Sequence, residues 1–207
     1  MKLALTDTKN IIFDLGKVLL NLDFEASIKA FHKLGLRADI ISPQHAYSDS
    51  VFLYLETGRI SPEIFRERVR ELLQNPGLSD AQIDDAWYAM IGDIPAQRVE
   101  VLKQLRKKFK VYLFSNTNAI HINRLLPEFR AMHGIDFPSL FDAVFYSHEI
   151  HDRKPELSAF QKVIDKAGVV PQETLFVDDI EQNVEAARAA GLKALWLQPD
   201  MEMADLF

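Results

Sequence analysis

The sequence predicts an α/β fold: a parallel sheet covered by helices on both faces, with an all-helical segment inserted after the first strand. Three observations predict it. Short apolar runs recur at residues 11–15, 111–114, 143–146, 175–177 and 194–197. Amphipathic, helix-like segments lie between the last four runs. From Asp23 to about Pro95 this rhythm breaks, and the pattern is helical throughout. Strands that alternate with helices argue for parallel pairing and a sheet buried on both sides.

The elements follow in order. The first strand, 11–15, runs into an acid, Asp14, and a bare Gly16. Helical patterns then cover 24–34, 50–57, 61–73 and 79–91. Ser61-Pro62-Glu63 and Ser79-Asp80-Ala81 read as helix starts, a cap residue before the first turn. Gln74-Asn75-Pro76-Gly77 is a turn. The insert thus amounts to roughly 70 residues, the size of a small subdomain. It divides the chain into a core of residues 1–21 and 95–207 and a helical unit of 22–94. A helix at 97–108 leads back into the sheet. Helices at 156–167 and 181–190 separate the later strands, and Gly191 supplies a stop signal for the second. There is no internal repeat and no low-complexity tract.

Composition narrows the function. A chain of 207 residues suits one domain, or one domain with a sizeable insertion. Its 48% hydrophobic and 26% charged residues are an ordinary globular mix. A net charge of -6 gives no general attraction for nucleic acid or anionic membrane. An anionic substrate must therefore be held by local devices: a metal ion, a lysine, a helix N-terminus. The absence of cysteine excludes disulfides, thiolate nucleophiles and cysteine-based zinc sites, and fits a reducing cytoplasm. Met1-Lys2-Leu3-Ala4-Leu5 faintly resembles a signal peptide, but Thr6-Asp7 ends the run too early. Asp14 and Lys17 interrupt the next apolar stretch, too soon for a membrane span. The expectation is a soluble cytoplasmic protein, monomer or homodimer, with no nucleic-acid or membrane partner. Trp196 and the tail 201–207 are where a partner could be met.

In an open parallel sheet, ligands bind beyond the carboxyl ends of the strands. Strand one ends in Asp14, strand two in Ser115-Asn116-Thr117-Asn118, and strand four in Asp178-Asp179. Lys154 stands in a polar loop, Asp152-Arg153-Lys154-Pro155, before a helix. Taken singly, each has an ordinary structural role. Asp14 can form a turn, as can Ser-Asn-Thr-Asn. Asp178-Asp179 can cap a helix, and Arg153-Lys154 can be a solvated loop. Taken together, three polar strand ends and one lysine describe a site for a phosphate and a divalent metal. Paired carboxylates repel and demand a cation, and Mg2+ prefers oxygen ligands. A carboxylate beside it can attack phosphorus and form an acyl phosphate. Ser115 and nearby amides can hold the phosphoryl oxygens, and Lys154 places positive charge where negative charge accumulates.

The motifs Phe13-Asp14-Leu15-Gly16, Leu113-Phe114-Ser115-Asn116-Thr117-Asn118, Arg153-Lys154-Pro155-Glu156 and Phe176-Val177-Asp178-Asp179 followed by Asn183 resemble, in this order, the haloacid dehalogenase-like (HAD-like) superfamily of phosphohydrolases. The match covers essentially the whole chain. It implies a Rossmann-like core with a helical cap in the first of the family's two insertion positions. It implies Asp14 as nucleophile, Ser115 as phosphate binder, and Lys154 as the group that stabilises phosphate and orients Asp14. Asn116 and Lys17 would meet the substrate. Mg2+ would lie on Asp14, the Gly16 backbone carbonyl and Asp179. Asp178 falls where many members carry glycine and would support the metal site from behind. Asn183 stands where many carry an acid.

Most phosphatases of this superfamily carry a second Asp at the position of Gly16, which protonates the leaving oxygen and then activates water. Its loss would cost about 10²–10⁴-fold in rate. The Asp-x-Gly version resembles bacterial alpha-D-glucose-1-phosphate phosphatases, which share Asp-Leu-Gly, Ser-Asn-Thr-Asn with a nearby His (here His121), Arg-Lys-Pro-Glu and a paired Asp. The leading expectation is a Mg2+-dependent phosphatase of a small phosphorylated metabolite, in finer terms a sugar 1-phosphate, working through an aspartyl-phosphate. Two alternatives stand beside it. One is an L-2-haloacid dehalogenase-type hydrolase, against which the Asp178-Asp179 pair argues. The other is a non-catalytic phosphometabolite-binding protein, for which Gly16 argues and the intact Asp14, Ser115, Lys154 and Asp179 argue against. Asp23 and Glu56 are candidates for the missing proton donor; their structural roles would be a helix cap and a solvated helix end. Lys17 would contact substrate or balance nearby acids, and His121 would cap or pack. The cap should close over the substrate, with 55–60 as its specificity segment and Trp87, Tyr88 and Met90 as helix packing first and pocket lining second.

Overall fold

The computed structural model describes Leu3 and residues 5–36 and 50–207. Met1, Lys2 and Ala4 of the leader-like start, and positions 37–49 of the expected insert, lie outside the described residues.

Five strands form one parallel sheet: β1 (Asn10–Phe13), β2 (Lys110–Ser115), β3 (Ala143–Tyr146), β4 (Thr174–Asp178) and β5 (Lys193–Trp196), in the order β3-β2-β1-β4-β5. The central strand β1 is buried along its whole length. Alternation sends Ile11 and Phe13 to one face and Ile12 to the other. Ile11 and Phe13 pack with Val111, Leu113 and Val177; Ile12 packs with Phe114, Phe160 and Phe176. Phe13 is in register with Leu113 and Val177, so Asp14 emerges level with Asp178.

The helices are α1 (Phe24–Lys33), α2 (Ser50–Glu56), α3 (Pro62–Leu72), α4 (Asp80–Tyr88), α5 (Ala96–Leu105), α6 (Ala119–His133), α7 (Ser147–Ile150), α8 (Leu157–Ala167), α9 (Glu181–Ala189) and α10 (Met203–Leu206). The expected caps are present. Asp23 accepts from the Ala26 amide, Ser61 from Ile64, and Ser79 with Gln82 forms a full capping box. Helix α6 fills the gap between the second and third apolar runs, where a helix-like segment is expected without bounds. Pro127 lies inside it and leaves the Asn123 carbonyl without its usual donor, which breaks the sequence signal. Asn118 at the start and Gly134 at the end, in left-handed conformation, bound it firmly.

The helices α1 to α4 enclose their own apolar cluster, built around Phe31, Phe52, Phe65, Ile83 and Trp87. Phe52 lies 4.8 Å from Trp87 and 5.4 Å from Phe65, ring centre to ring centre. Trp87 and Met90 pack here as expected, whereas Tyr88 packs with the sheet-side core. The chain leaves and regains the sheet at one place, where Leu22 and Ile91 form an antiparallel bridge. The Asn21 amide donates to the Asp93 carbonyl and the Gly92 amide to that of Asn21, at 2.9 and 2.8 Å.

The tail is partly tied down within the chain. Met203 is fully buried and Phe207 meets Phe13 edge-on at 5.5 Å, so the segment folds back on its own sheet. Trp196 is half-buried, its indole N–H donating to the Asp179 carbonyl. Among the described residues, no helix is long and apolar enough to cross a membrane.

Candidate active site

The carboxyl edge of the sheet carries the site. Strand β1 ends one residue before Asp14, whose amide donates to the Val177 carbonyl at 2.9 Å. The chain then curls. The amides of Leu19 and Leu20 both donate to the Leu15 carbonyl, and Lys17 takes a left-handed conformation, φ 57°. This loop turns the Asp14 side chain toward the ends of β2 and β4.

Lys154 is the hub. Its ammonium, fully buried, donates to Asp14 Oδ1 at 2.5 Å and to Asp178 Oδ2 at 2.7 Å. Asp178 is further held by the Ile180 amide at 2.8 Å and by the Asn183 carboxamide at 3.1 Å. With three donors around it, Asp178 is committed to structure, while Asp179 stands partly exposed with Lys17 Nζ 3.9 Å away. Asn116 clamps the lysine loop: its Nδ2 donates to the Lys154 carbonyl and its Oδ1 accepts from the Lys154 amide. Both ends of this carboxamide are thereby engaged in positioning Lys154. Ser115 is buried at the cavity wall, its hydroxyl 3.5 Å from the Asn116 carbonyl.

Charge is out of balance here. Burial pushes the Asp14 carboxyl up to about 7 despite the pull of Lys154, and repulsion from Asp178 and Asp179 adds to the rise. Burial, then Asp178, likewise raises Asp179. Burial alone would lower Lys154, but its two carboxylate neighbours outweigh it and raise the ammonium. Three acids thus share one full internal cation. Oxygens of Asp14, Asp178 and Asp179 lie within 4.8 Å of one another, a donor set of hard oxygens that fits a small divalent ion.

A cavity of about 410 Å³ opens over this edge. Asp14, Gly16, Lys17, Ser115, Asn116, Lys154, Asp179 and Asn183 all face it, so the sequence-predicted residues converge, with Asp178 behind them. Its roof comes from the helical insert and is mostly apolar, through Leu22, Phe24, Met90 and Ile91. Of the expected specificity segment, Glu56 is the residue on the wall. It is not the solvated helix end its sequence position implies: it is 6% exposed and faces Arg153 Nη2 at 3.4 Å. Of the roof, Met90 bears out its second expected role as pocket lining, whereas Leu22, Phe24 and Ile91, and Arg153 on the wall, were not singled out as site residues from the sequence. For Arg153 the signal was its place beside Lys154; for the three apolar residues there was none, because apolar lining and apolar core look alike. Asp23 is engaged as the α1 cap and does not line the cavity. His121 packs, stacked on Trp87 with 4.9 Å between ring centres and its Nε2 3.2 Å from the Trp87 carbonyl.

Fold and site together define a class: α/β proteins with an acidic cluster and a buried lysine at the carboxyl edge of a parallel sheet, beneath a helical cover. A family model for haloacid dehalogenase-like hydrolases matches residues 8–191. A D-ribitol-5-phosphate phosphatase of Bacteroides thetaiotaomicron is 30% identical over 193 residues, 93% of this chain and 92% of the relative. A HAD-family enzyme from Bacteroides thetaiotaomicron, solved with magnesium and inorganic phosphate, superposes with a TM-score of 0.88 at 36% identity, covering 97% of this chain and 99% of that one. A HAD-like hydrolase from Porphyromonas gingivalis gives 0.86 at 32% identity, with 95% and 94% covered. The chain belongs to the haloacid dehalogenase-like hydrolases and, within that family, is a phosphomonoester hydrolase.

Proposed function

We propose that this chain hydrolyses a small phosphorylated metabolite through an aspartyl-phosphate formed on Asp14, with magnesium as its cofactor. The observation that carries the reading is Lys154, buried between Asp14 and Asp178 at 2.5 and 2.7 Å. It fixes one Asp14 oxygen and leaves the other toward the cavity and Asp179. Asp14, the Gly16 carbonyl and Asp179 would hold the ion. When bound, magnesium neutralises the surplus carboxylate charge and polarises the phosphoryl group. Ser115 and Lys154 bind phosphoryl oxygens, Asp14 attacks phosphorus in line with the departing oxygen, and the roof excludes water from the leaving group. Asp178 and Asn183 hold Lys154 and the start of α9 in place.

The finer substrate has two readings. Gly16 favours a sugar 1-phosphate, whose leaving group departs with less help from an acid. The Bacteroides relative, named for D-ribitol 5-phosphate, favours an open-chain polyol phosphate. Purified protein with Mg2+, assayed on matched glucose 1- and 6-phosphates and on D-ribitol 5-phosphate, separates them. Equal turnover of the two glucose esters removes the first reading. Turnover of any ester by an Asp14→Asn variant removes the aspartyl-phosphate, and chloride release from a 2-haloacid without Mg2+ would restore the dehalogenase alternative.

A further inference from the structure

We propose that Glu56, carried by the helical insert, is the acid that protonates the leaving oxygen and the base that then activates water. The proposal rests on Asp14 being the nucleophile.

The reaction needs a proton carrier on the leaving-group side of the substrate, opposite Asp14. Position 16 cannot supply one. It is glycine, and a Cβ there would lie 2.5 Å from Leu22 Cδ1, so the adjoining space is already filled by a side chain of the insert. Among the described cavity-lining residues, four others titrate as acids or as a histidine: Asp14, Asp179, His121 and Glu56. Asp14 is the attacking group. Asp179 belongs to the acidic cluster beneath the phosphate. His121 is neutral, since burial depresses it to about 4, and its Nε2 is spent on the Trp87 carbonyl. Glu56 is left, and its surroundings suit both forms it would need. Burial raises its carboxyl, favouring the protonated form, while Arg153 at 3.4 Å steadies the carboxylate left after the proton has gone. Glu56 and Arg153 line the same cavity as Asp14 and Lys154, so the pair forms part of the wall around the reacting centre.

The insert is also seated so that Glu56 stays put. His151 Nδ1 meets the Thr57 carbonyl at 3.2 Å. Gly58, φ 64°, lies so close to the core that a Cβ there would be 2.2 Å from the His148 carbonyl oxygen. The steps balance. An Asp14 oxygen bonds to phosphorus as the bond from phosphorus to the ester oxygen breaks. The Glu56 proton passes to that oxygen, and the alcohol departs. Glu56 carboxylate then takes a proton from water as the water oxygen attacks phosphorus, releasing phosphate, freeing Asp14 and restoring protonated Glu56. An acid of this kind removes the need for an activated leaving group, which brings ordinary alcohol phosphates, polyol phosphates included, within reach of a site that has glycine at position 16.

The test is a leaving-group series with Mg2+, from 2,4-dinitrophenyl through 4-nitrophenyl to unsubstituted phenyl phosphate, on wild type and Glu56→Gln. The loss in kcat/KM should be smallest for dinitrophenyl phosphate and grow to about 10²-fold or more for phenyl phosphate. Glu56→Asp, which keeps the carboxyl but shortens its reach, should fall between the two and serves if the glutamine variant folds poorly. A loss equal across the series marks Glu56 as a structural latch with Arg153 and overturns the proposal, as does no loss. If Asp14→Asn retains turnover of dinitrophenyl phosphate, the underlying reading fails instead.

Discussion

The floor and the roof of the cavity are built on opposite principles. The floor is electrostatic: Lys154 is wedged between Asp14 and Asp178, Asn183 and the Ile180 amide brace Asp178, and Asn116 clamps the lysine loop at both ends of its carboxamide. The roof is apolar, from Leu22, Phe24, Met90 and Ile91, with Glu56 and its Arg153 partner as the polar exception. A phosphoryl group has nearly the same charge and shape in every ester, so a rigid polar floor serves all substrates. The alcohol varies, and a separately cored set of helices can vary with it.

The comparison can be broken at four points, from the largest effect to the smallest. Asp14→Asn should lower turnover of 4-nitrophenyl phosphate by several orders of magnitude while the circular dichroism spectrum is unchanged; residual rates near wild type would deny the floor its chemical role. Lys154→Met should be costly to both fold and rate. It leaves two buried carboxylates without their cation, a loss of about 3–5 kcal/mol, and Mg2+ should recover part of the urea midpoint. A variant as stable as wild type without Mg2+ would show that the floor is not held by charge.

His121 lies where floor and roof meet. Above pH 6.5 it is neutral in folded and unfolded chains alike. As pH falls toward 4 the unfolded chain takes up a proton that the folded chain refuses, so stability drops over that window. The displacement is worth about 3 kcal/mol. Urea unfolding at pH 7 and pH 4.5 should therefore show a smaller acid-induced drop for His121→Gln than for wild type; equal drops would place His121 in contact with water. The smallest effect is at the seat of the insert. Gly58→Ala needs a left-handed alanine and meets the His148 carbonyl, costing upward of about 1 kcal/mol. It should raise KM more than it lowers kcat, and an unchanged KM would mean the seat does not govern substrate access.

The floor was legible in the sequence because its chemistry leaves unusual traces. Acids at the ends of apolar strands and a lysine before a proline are seldom placed there by packing, so Asp14, Ser115, Lys154 and the Asp178-Asp179 pair could be gathered from the strand ends and one polar loop, and the family resemblance then favoured Asp179. The roof left no such trace. Leu22, Phe24 and Ile91 read as ordinary core, and Glu56 read as a solvated end because a helix terminus is normally wet; that another element covers it is tertiary information. The helix expected between the second and third strands was legible only without bounds: Pro127 is a local breaker, overruled by a firm cap at Asn118 and packing of Ile122, Leu125 and Phe129 into the core. The packing of the tail left no trace for a related reason: Met203 and Phe207 are apolar at a chain end, and only the fold reveals that the sheet has room for them.

The crossing at Leu22 and Ile91 has a consequence for the history of such chains. Outgoing and returning segments are joined there by one antiparallel bridge and three backbone hydrogen bonds, so the sheet experiences the roughly 70 intervening residues as little more than a hairpin stub. Whatever is spliced above that stub, the strand order below it is undisturbed. The part of the chain that meets the alcohol can in this way be exchanged without touching the part that meets the phosphoryl group.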